Sequence, residues 1–260
     1  MAVAFCYHQT SHIQVDTVKV SIEKLPEEFN DFTIIQITDL HGKCFGQNQS
    51  HLLNLMDKKH FDILVLTGDM FRDNDEKNSL CVLRHIINYV HSKEKAVYFV
   101  AGNHDLDGDY DYISRTLQQW GVHVLDNRSV TIKRKDAMIH IIGIKDALFG
   151  MANLDAAVKN VNKGIKILLA HTIFKRGDKS LFQKIKHMKI DLVLSGHTHG
   201  FQINLFPFYV TGEGLFPKYV KGLHRIQQSY IYISRGLVTS GVHLRLFSRP
   251  ELTFIQLESA

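Results

Sequence analysis

Cysteine is scarce: Cys6, Cys44 and Cys81 are the only three in 260 residues, too few and too widely spaced for a disulfide framework or a CxxC metal clip. Unpaired thiols of this kind suit a chain that faces a reducing cytosol. Proline is scarce as well, with four residues, and no Pro/Gly/Ser tract, repeat or low-complexity stretch interrupts the chain, so residues 1–260 read as one domain. Long apolar runs are missing. No stretch approaches the ~20 residues that a membrane-spanning helix needs. The opening MAVAFCYHQT lacks the charged start, apolar middle and small-residue end of a signal peptide, and has the size of a stub left by an omitted amino-terminal anchor.

What is present describes a globular chain: 45% hydrophobic and 22% charged residues exclude a disordered one. A net charge of +5 and a pI near 9.0 suit nucleic acid, phosphorylated ligands or an anionic membrane surface. The densest basic clusters, Lys133 with Arg134 and Lys135, and Lys175 with Arg176, fall at an expected hairpin end and in a loop, and read as solvated surface. A basic groove interleaved with aromatics is not evident, so nucleic acid is not an expected partner.

The segment HIQVDTVKVSI alternates like a half-buried strand, whereas FTIIQIT, DILVLTG, AVYFVAG, IKILLAH and DLVLSGH are compact apolar runs of the kind buried on both faces of a sheet. Helical patterns are expected near residues 48–59, 78–92, 110–119, 154–162 and 179–188. Toward the end SVTIKRKDAMIHIIGI, SYIYISRG, VHLRLF and ELTFIQL read as strands with little helix between them. Strands alternating with helices and then a strand-rich end predict an α/β sandwich, with two central sheets and outer helices. In such sheets ligands bind where the strands' carboxyl ends open into loops.

Those strand ends carry metal-type residues. Asp39 and His41 follow the first buried run; Gly68 and Asp69 the second; Asn103, His104 and Asp105 the third; His171 the fourth; Gly196, His197 and His199 the fifth. One histidine after a strand is usually a surface or hydrogen-bonded residue, and one Gly-Asp pair is usually a turn. Convergence of all five strand ends is hard to explain that way. Two divalent ions about 3.5 to 4 Å apart need a shared ligand, and a carboxylate bridges with its two oxygens. Asp69 is the candidate. Oxygen and imidazole donors without thiolate suit Mn, Fe, Zn, Co or Ni. Such a pair clamps phosphate oxygens and acidifies a bridging water, giving a hydroxide for in-line attack on phosphorus. The leaving oxygen then needs a proton donor, a histidine outside the ligand set and oriented by a carboxylate. His104 with Asp105 has that composition.

The order D-x-H, GD, GNHD, a strand-end His and GHxH resembles the calcineurin-like metallophosphoesterases, whose fold is a four-layer αββα sandwich of two mixed sheets flanked by helices. The resemblance implies a first-metal set of Asp39, His41 and His199, and a second-metal set of Asn103, His171 and His197. Asp69 would bridge, with His104 catalytic and Asp105 its partner. The flanking GHTHGFQINLFPFY, KYVKGLH, IYISRGL and HLRLFSRPELTFIQL, and Asp146 within GIKDALFG, are similar to the bacterial membrane-associated phosphodiesterase subgroup. Some members of that subgroup cleave the pyrophosphate of UDP-2,3-diacylglucosamine to lipid X and UMP in lipid A biosynthesis. Phe201 stands where the subgroup usually has a second glycine, and HTIF lacks its usual proline.

The resemblance implies two divalent cations, with Mn the first expectation, and a phosphorylated, lipid-linked nucleotide as substrate. It also implies a cytoplasmic chain, or one peripheral on the cytoplasmic face of the bacterial inner membrane, without an obligate protein partner. The apolar segment 201–221, which includes Phe201, Phe206 and Phe216 beside Lys218 and Lys221, is either an acyl-chain or membrane-facing loop or core under the strand-rich end. Asp146, Phe201, Phe206 and Phe216 are the candidate substrate contacts. A phosphodiesterase or phosphatase acting on a cyclic nucleotide, nucleic acid or phosphoprotein is the alternative, and a non-catalytic scaffold of the same fold is the remote one.

Overall fold

A computed structural model describes residues 2–72, 75–174, 180–205, 208–210, 219–241 and 243–260, with backbone alone at 2–4, 204–205 and 208–210. The first half runs α1 Ala2–Ser11, β1 Gln14–Ile22, β2 Thr33–Ile37, α2 Ser50–Met56, β3 Ile63–Thr67, α3 Glu76–Ser92, β4 Ala96–Val100, α4 Asn103–Asp107, α5 Tyr110–Gln119 and β5 His123–Val124. The second runs β6 Arg128–Arg134, β7 Ala137–Gly143, α6 Leu154–Ala157, β8 Ile165–Leu169, α7 Ser180–His187, β9 Leu192–Ser195, β10 Ile203–Leu205, β11 Phe208–Val210, β12 Gly222–Ile226, β13 Ser229–Ile233 and β14 Glu251–Ser259.

Two six-stranded sheets result, in the orders β1-β14-β2-β3-β4-β5 and β12-β13-β9-β8-β7-β6, with β10 and β11 forming a separate antiparallel pair. Strands β2 to β5 are mutually parallel and β14 pairs antiparallel to β2; β13, β9, β8 and β7 are parallel between antiparallel edges β12 and β6. Parallel neighbours in register, such as Ile35↔Leu64 and Leu64↔Val97, bring consecutive carboxyl ends to one rim.

Side-chain alternation sorts the apolar residues into layers. Ile34, Val65 and Tyr98 point between the sheets and meet Ile141, Ile167 and Leu194, whereas Ile35, Leu64 and Phe99 point outward onto α3 and α5. Ile142, Leu168 and Val193 face α6 and α7 on the other side. Helix α3 offers Leu80, Leu83, Ile87 and Val90 at helical spacing, all buried, and each such side chain contributes ~1.5–3 kcal/mol by leaving water. The αββα order of layers is thus the one expected.

Several boundaries differ from the sequence reading. Helix α2 starts at Ser50, because Asn48 and Gln49 take left-handed φ of 52° and 65°. Helix α6 ends at Ala157, before the polar Lys159, Asn160, Asn162 and Lys163. The stretch VHLRLF is no strand over its described residues: Leu246 makes an isolated bridge to Ile203 and the fully buried side chain is Arg245. No helix of the described residues is long and apolar enough to cross a membrane.

Candidate metal centre

The ligand-type residues sit on loops that leave β2, β3, β4, β8 and β9, and the rims of the two sheets are tied together directly beneath them. Gln36, fully buried, donates from Nε2 to Thr67 Oγ1 at 2.8 Å and to the carbonyl of Ser195 at 3.0 Å, so one side chain joins β2 and β3 to β9. Backbone bonds from Asp39 N to Gly68 O, and from His41 N to Asp69 O, both 3.0 Å, lock the first two loops to each other.

The loops are conformationally strained. Asp39, His41, Asp69, His197 and His199 take φ of 54°, 44°, 55°, 72° and 50°, the left-handed region that disfavours side chains with a Cβ. Each such position costs on the order of 1 kcal/mol, and the surrounding structure has to impose it. At Gly102 the constraint is space rather than conformation: a Cβ there would lie 2.2 Å from Asp69 Oδ1.

Among the described residues three groupings of donor atoms arise, each with all members within 4.8 Å: Asp39, His41 and His199; His41, Asp69 and His104; Asp69, His171 and His197. The second and third share Asp69, whose Oδ2 is 3.1 Å from His171 Nε2 and 3.9 Å from His41 Nε2, and the first shares His41 with the second; His199 Nε2 is 3.4 Å from Asp39 Oδ1. His41 lies edge-on to His104 at 5.0 Å and roughly parallel to His199 at 5.8 Å; His171 and His197 meet at 5.1 Å.

The hydrogen bonds fix what these groups need. His171 Nδ1 donates to the carbonyl of Thr67 and His199 Nδ1 to that of Val238, both at 2.8 Å, because a carbonyl only accepts. In the neutral rings the Nε2 lone pairs then point at the carboxylates of Asp69 and Asp39. Acceptor faces acceptor, which is stable only with a proton or a cation between them. His41 Nε2, His171 Nε2, Asp39 Oδ1 and Asn103 Oδ1 are buried without a hydrogen-bond partner, the pattern of a ligand shell. The residues present therefore fit divalent cations.

The electrostatics agree. Burial opposes ionisation of Asp69, but the His171 imidazole beside it outweighs burial and holds the carboxyl far below its ordinary range. Asp39 is likewise lowered against burial, by His199 and His171. Burial also works against a charge on His171, yet the Asp69, Asp39 and Asp146 carboxylates around it raise its pKa well above 6.5. At His41 and His199 burial prevails and lowers the pKa, to about 4 for His199.

Asp105 is fully buried and accepts three backbone amides: Asp69 N and Gly102 N on Oδ2, both 2.8 Å, and Phe71 N on Oδ1 at 3.0 Å. Its carboxylate therefore braces the loops after β3 and β4, and burial together with the Asp69 charge pushes its pKa up to about 7. Asp146 leaves β7 at the same rim, buried, with Oδ1 accepting from Leu148 N at 2.8 Å and Oδ2 without a partner. Phe201 is buried, Tyr219 stacks on Phe174 at 5.4 Å, and Val220 is buried, so both ends of the apolar segment pack inward. Phe206 and Phe216 lie outside the described residues. Gln36 and the carbonyls of Thr67 and Val238 were not among the expected site groups. The signal for Gln36 was a lone amide inside an apolar strand; carbonyls carry no sequence signal.

Carboxylates and imidazoles gathered at the facing rims of an αββα sandwich, with acceptor set against acceptor, define a metal-dependent hydrolase. Residues 32–201 match the model of the family described as Calcineurin-like phosphoesterase, and the chain belongs to that family: it is a metal-dependent phosphoester hydrolase. It is 29% identical over 95% of its length to the uncharacterized metallophosphoesterase YkoQ of Bacillus subtilis, covering 92% of that protein. Likeness to a transmembrane protein with metallophosphoesterase domain from Danio rerio is 27% over 95% of this chain, which spans 58% of the fish protein. The sulfate thiohydrolase SoxB of Thermus thermophilus shares the fold, with a TM-score of 0.50 at 14% identity over 90% of this chain and 58% of its own.

Proposed function

We propose that the chain hydrolyses a phosphodiester or pyrophosphate bond using two divalent cations, and that its substrate is a lipid-linked nucleotide of the UDP-2,3-diacylglucosamine kind. The observation that carries the two-cation reading is the pair of opposed acceptors, His171 Nε2 on Asp69 and His199 Nε2 on Asp39. Asp39, His41 and His199 would hold one ion, Asn103, His171 and His197 the other, and Asp69 both. When bound, the cations supply Lewis acidity toward phosphate oxygens and a nucleophilic water at neutral pH. Mn suits this oxygen and nitrogen set, as do Fe, Zn, Co and Ni.

In this reading His104 holds the proton that the leaving oxygen takes. Its backbone N–H donates to Asp69 Oδ1 at 3.0 Å, and a ring nitrogen lies within 4.8 Å of donor atoms of His41 and Asp69. Asp105 positions that loop through its three amide bonds. Asp146 is buried, so its part in substrate binding would be indirect, through the charge it places near His171. The lipid portion of the reading rests on the subgroup resemblance and on the apolar composition of residues 201–221. Because Phe201 is buried, acyl contact falls to Phe206 and Phe216, and with them a peripheral contact with the cytoplasmic membrane face.

The test is hydrolysis of bis-p-nitrophenyl phosphate, p-nitrophenyl phosphate and UDP-2,3-diacylglucosamine by Mn-reconstituted protein in parallel. UMP release with little monoesterase activity supports the full reading. Diester cleavage without UMP release keeps the bond type and removes the lipid substrate.

A further inference from the structure

Arg245 is the largest fully buried side chain among the described residues, and its hydrogen bonds run to carbonyls, not to a carboxylate. Nη1 donates to the carbonyls of His199 at 3.3 Å and Ser248 at 3.0 Å; Nη2 donates to those of Arg235 at 2.7 Å, Gly236 at 3.3 Å and Val238 at 2.5 Å. Val238 O is also the acceptor that orients His199 Nδ1. The loop so clamped rests on Asp39: Val238 N donates to Asp39 O at 2.9 Å, and a Cβ on Gly236 would lie 2.6 Å from Asp39 Cβ. Burying a guanidinium costs several kcal/mol unless its surroundings repay it. Here five carbonyls and the Asp39 charge offset that cost, although burial still lowers the guanidinium pKa to about 9; the N–H groups of Nη1 and Nη2 make these contacts while Nε is buried without a partner, and only a planar fork reaches acceptors on segments this far apart in sequence.

We propose that Arg245 is the positioning residue of one cation site and not the other. It sets the backbone that presents His199 and Asp39, whereas His171, on the second site, is oriented by the Thr67 carbonyl, which Arg245 does not touch. The inference rests on the two-cation reading above. Ser248 assists, donating from Oγ to the carbonyls of His199 at 3.2 Å and Gly200 at 3.0 Å.

The test compares wild type with Arg245→Met, Arg245→Lys and Ser248→Ala by Mn content after dialysis, Mn titration and electron paramagnetic resonance. Wild type is expected to keep two ions and show an exchange-coupled spectrum. The Arg245 variants should keep one, show the six-line spectrum of an isolated ion, and regain the second only at tenfold or more higher Mn, with kcat recovering in step and KM for bis-p-nitrophenyl phosphate little changed. Ser248→Ala, the mildest lesion and the one to rely on if Arg245→Met does not fold, should weaken the same single ion to a smaller extent. Variants that melt earlier but bind both ions as wild type does, or that lose both equally, overturn the assignment. A wild type that binds fewer than two ions removes its premise, and that outcome counts against the two-cation reading itself.

Discussion

Gly102→Ala isolates the cost of crowding the Asp69 carboxylate. Gly102 sits at φ −95° and ψ −176°, extended backbone that alanine adopts freely, so the substitution carries no conformational penalty of its own. The added methyl would meet Asp69 Oδ1 at 2.2 Å, Asp69 N at 2.6 Å and His171 Cδ2 at 2.8 Å. Since ordinary contact between such atoms begins near 3.5 Å, Asp69 must retreat by roughly 1 Å. It cannot retreat freely, because its amide is held by Asp105 and its Oδ1 by the His104 amide. Overpacking of this kind costs ~1–3 kcal/mol of stability, and a displacement of about 1 Å in a positioned group costs ~10²-fold in rate. Denaturant unfolding and bis-p-nitrophenyl phosphate hydrolysis with excess Mn measure the two effects separately. A Gly102→Ala protein with both ions bound and kcat/KM within about threefold of wild type would show that Asp69 tolerates displacement, and the reasoning would fail.

His104→Ala should keep its metal while kcat falls ~10²–10⁴-fold, whereas Asp69→Asn should lose both ions; metal analysis of the two proteins decides, and the reverse pattern makes His104 a ligand. Asp105→Asn places an amide NH2 against at least one of the three backbone N–H donors now bound to the carboxylate, and should destabilise by ~1–3 kcal/mol in urea unfolding. The metal-free protein should lose stability as pH rises above 6.5. His171, raised in the folded state, stabilises fully below its unfolded pKa of 6.5 and loses that contribution as pH climbs through its folded value, and Asp105, at about 7, has the same sign. His41 and His199, lowered, contribute no slope there. Urea midpoints of chelator-treated protein from pH 6.5 to 9 that stay flat or rise would contradict this balance.

The buried strands were legible because runs such as ILVLT and LVLS need apolar neighbours on both faces, and the candidate ligands were legible because they follow those runs directly. The segment VHLRLF misled for a physical reason. It forms no strand over its described residues: Arg245 is buried because backbone carbonyls hold its guanidinium, while His243 and Phe247 on either side are exposed. The left-handed backbone at Asp39, Asp69 and His199 was equally hidden, since glycine is the usual sign of that conformation and here the ligand-type residues themselves adopt it. The Thr67 and Val238 carbonyls, which fix two imidazole tautomers, belong to side chains with no part in the chemistry.

The donor-type residues gathered at the rim come from both sheets: Asp39, His41, Asp69 and Asn103 follow strands of one, and His171, His197 and His199 follow strands of the other. Filling the centre therefore adds to the ties that already join the two slabs at this edge, the Gln36 bonds to Thr67 and Ser195 and the His171 bond to the Thr67 carbonyl among them, and any ion bound only by the folded chain adds its binding free energy to the fold. Cofactor occupancy in this protein would then be a mechanical property as well as a chemical one, readable as the force or the protease exposure at which the sandwich parts along its rim.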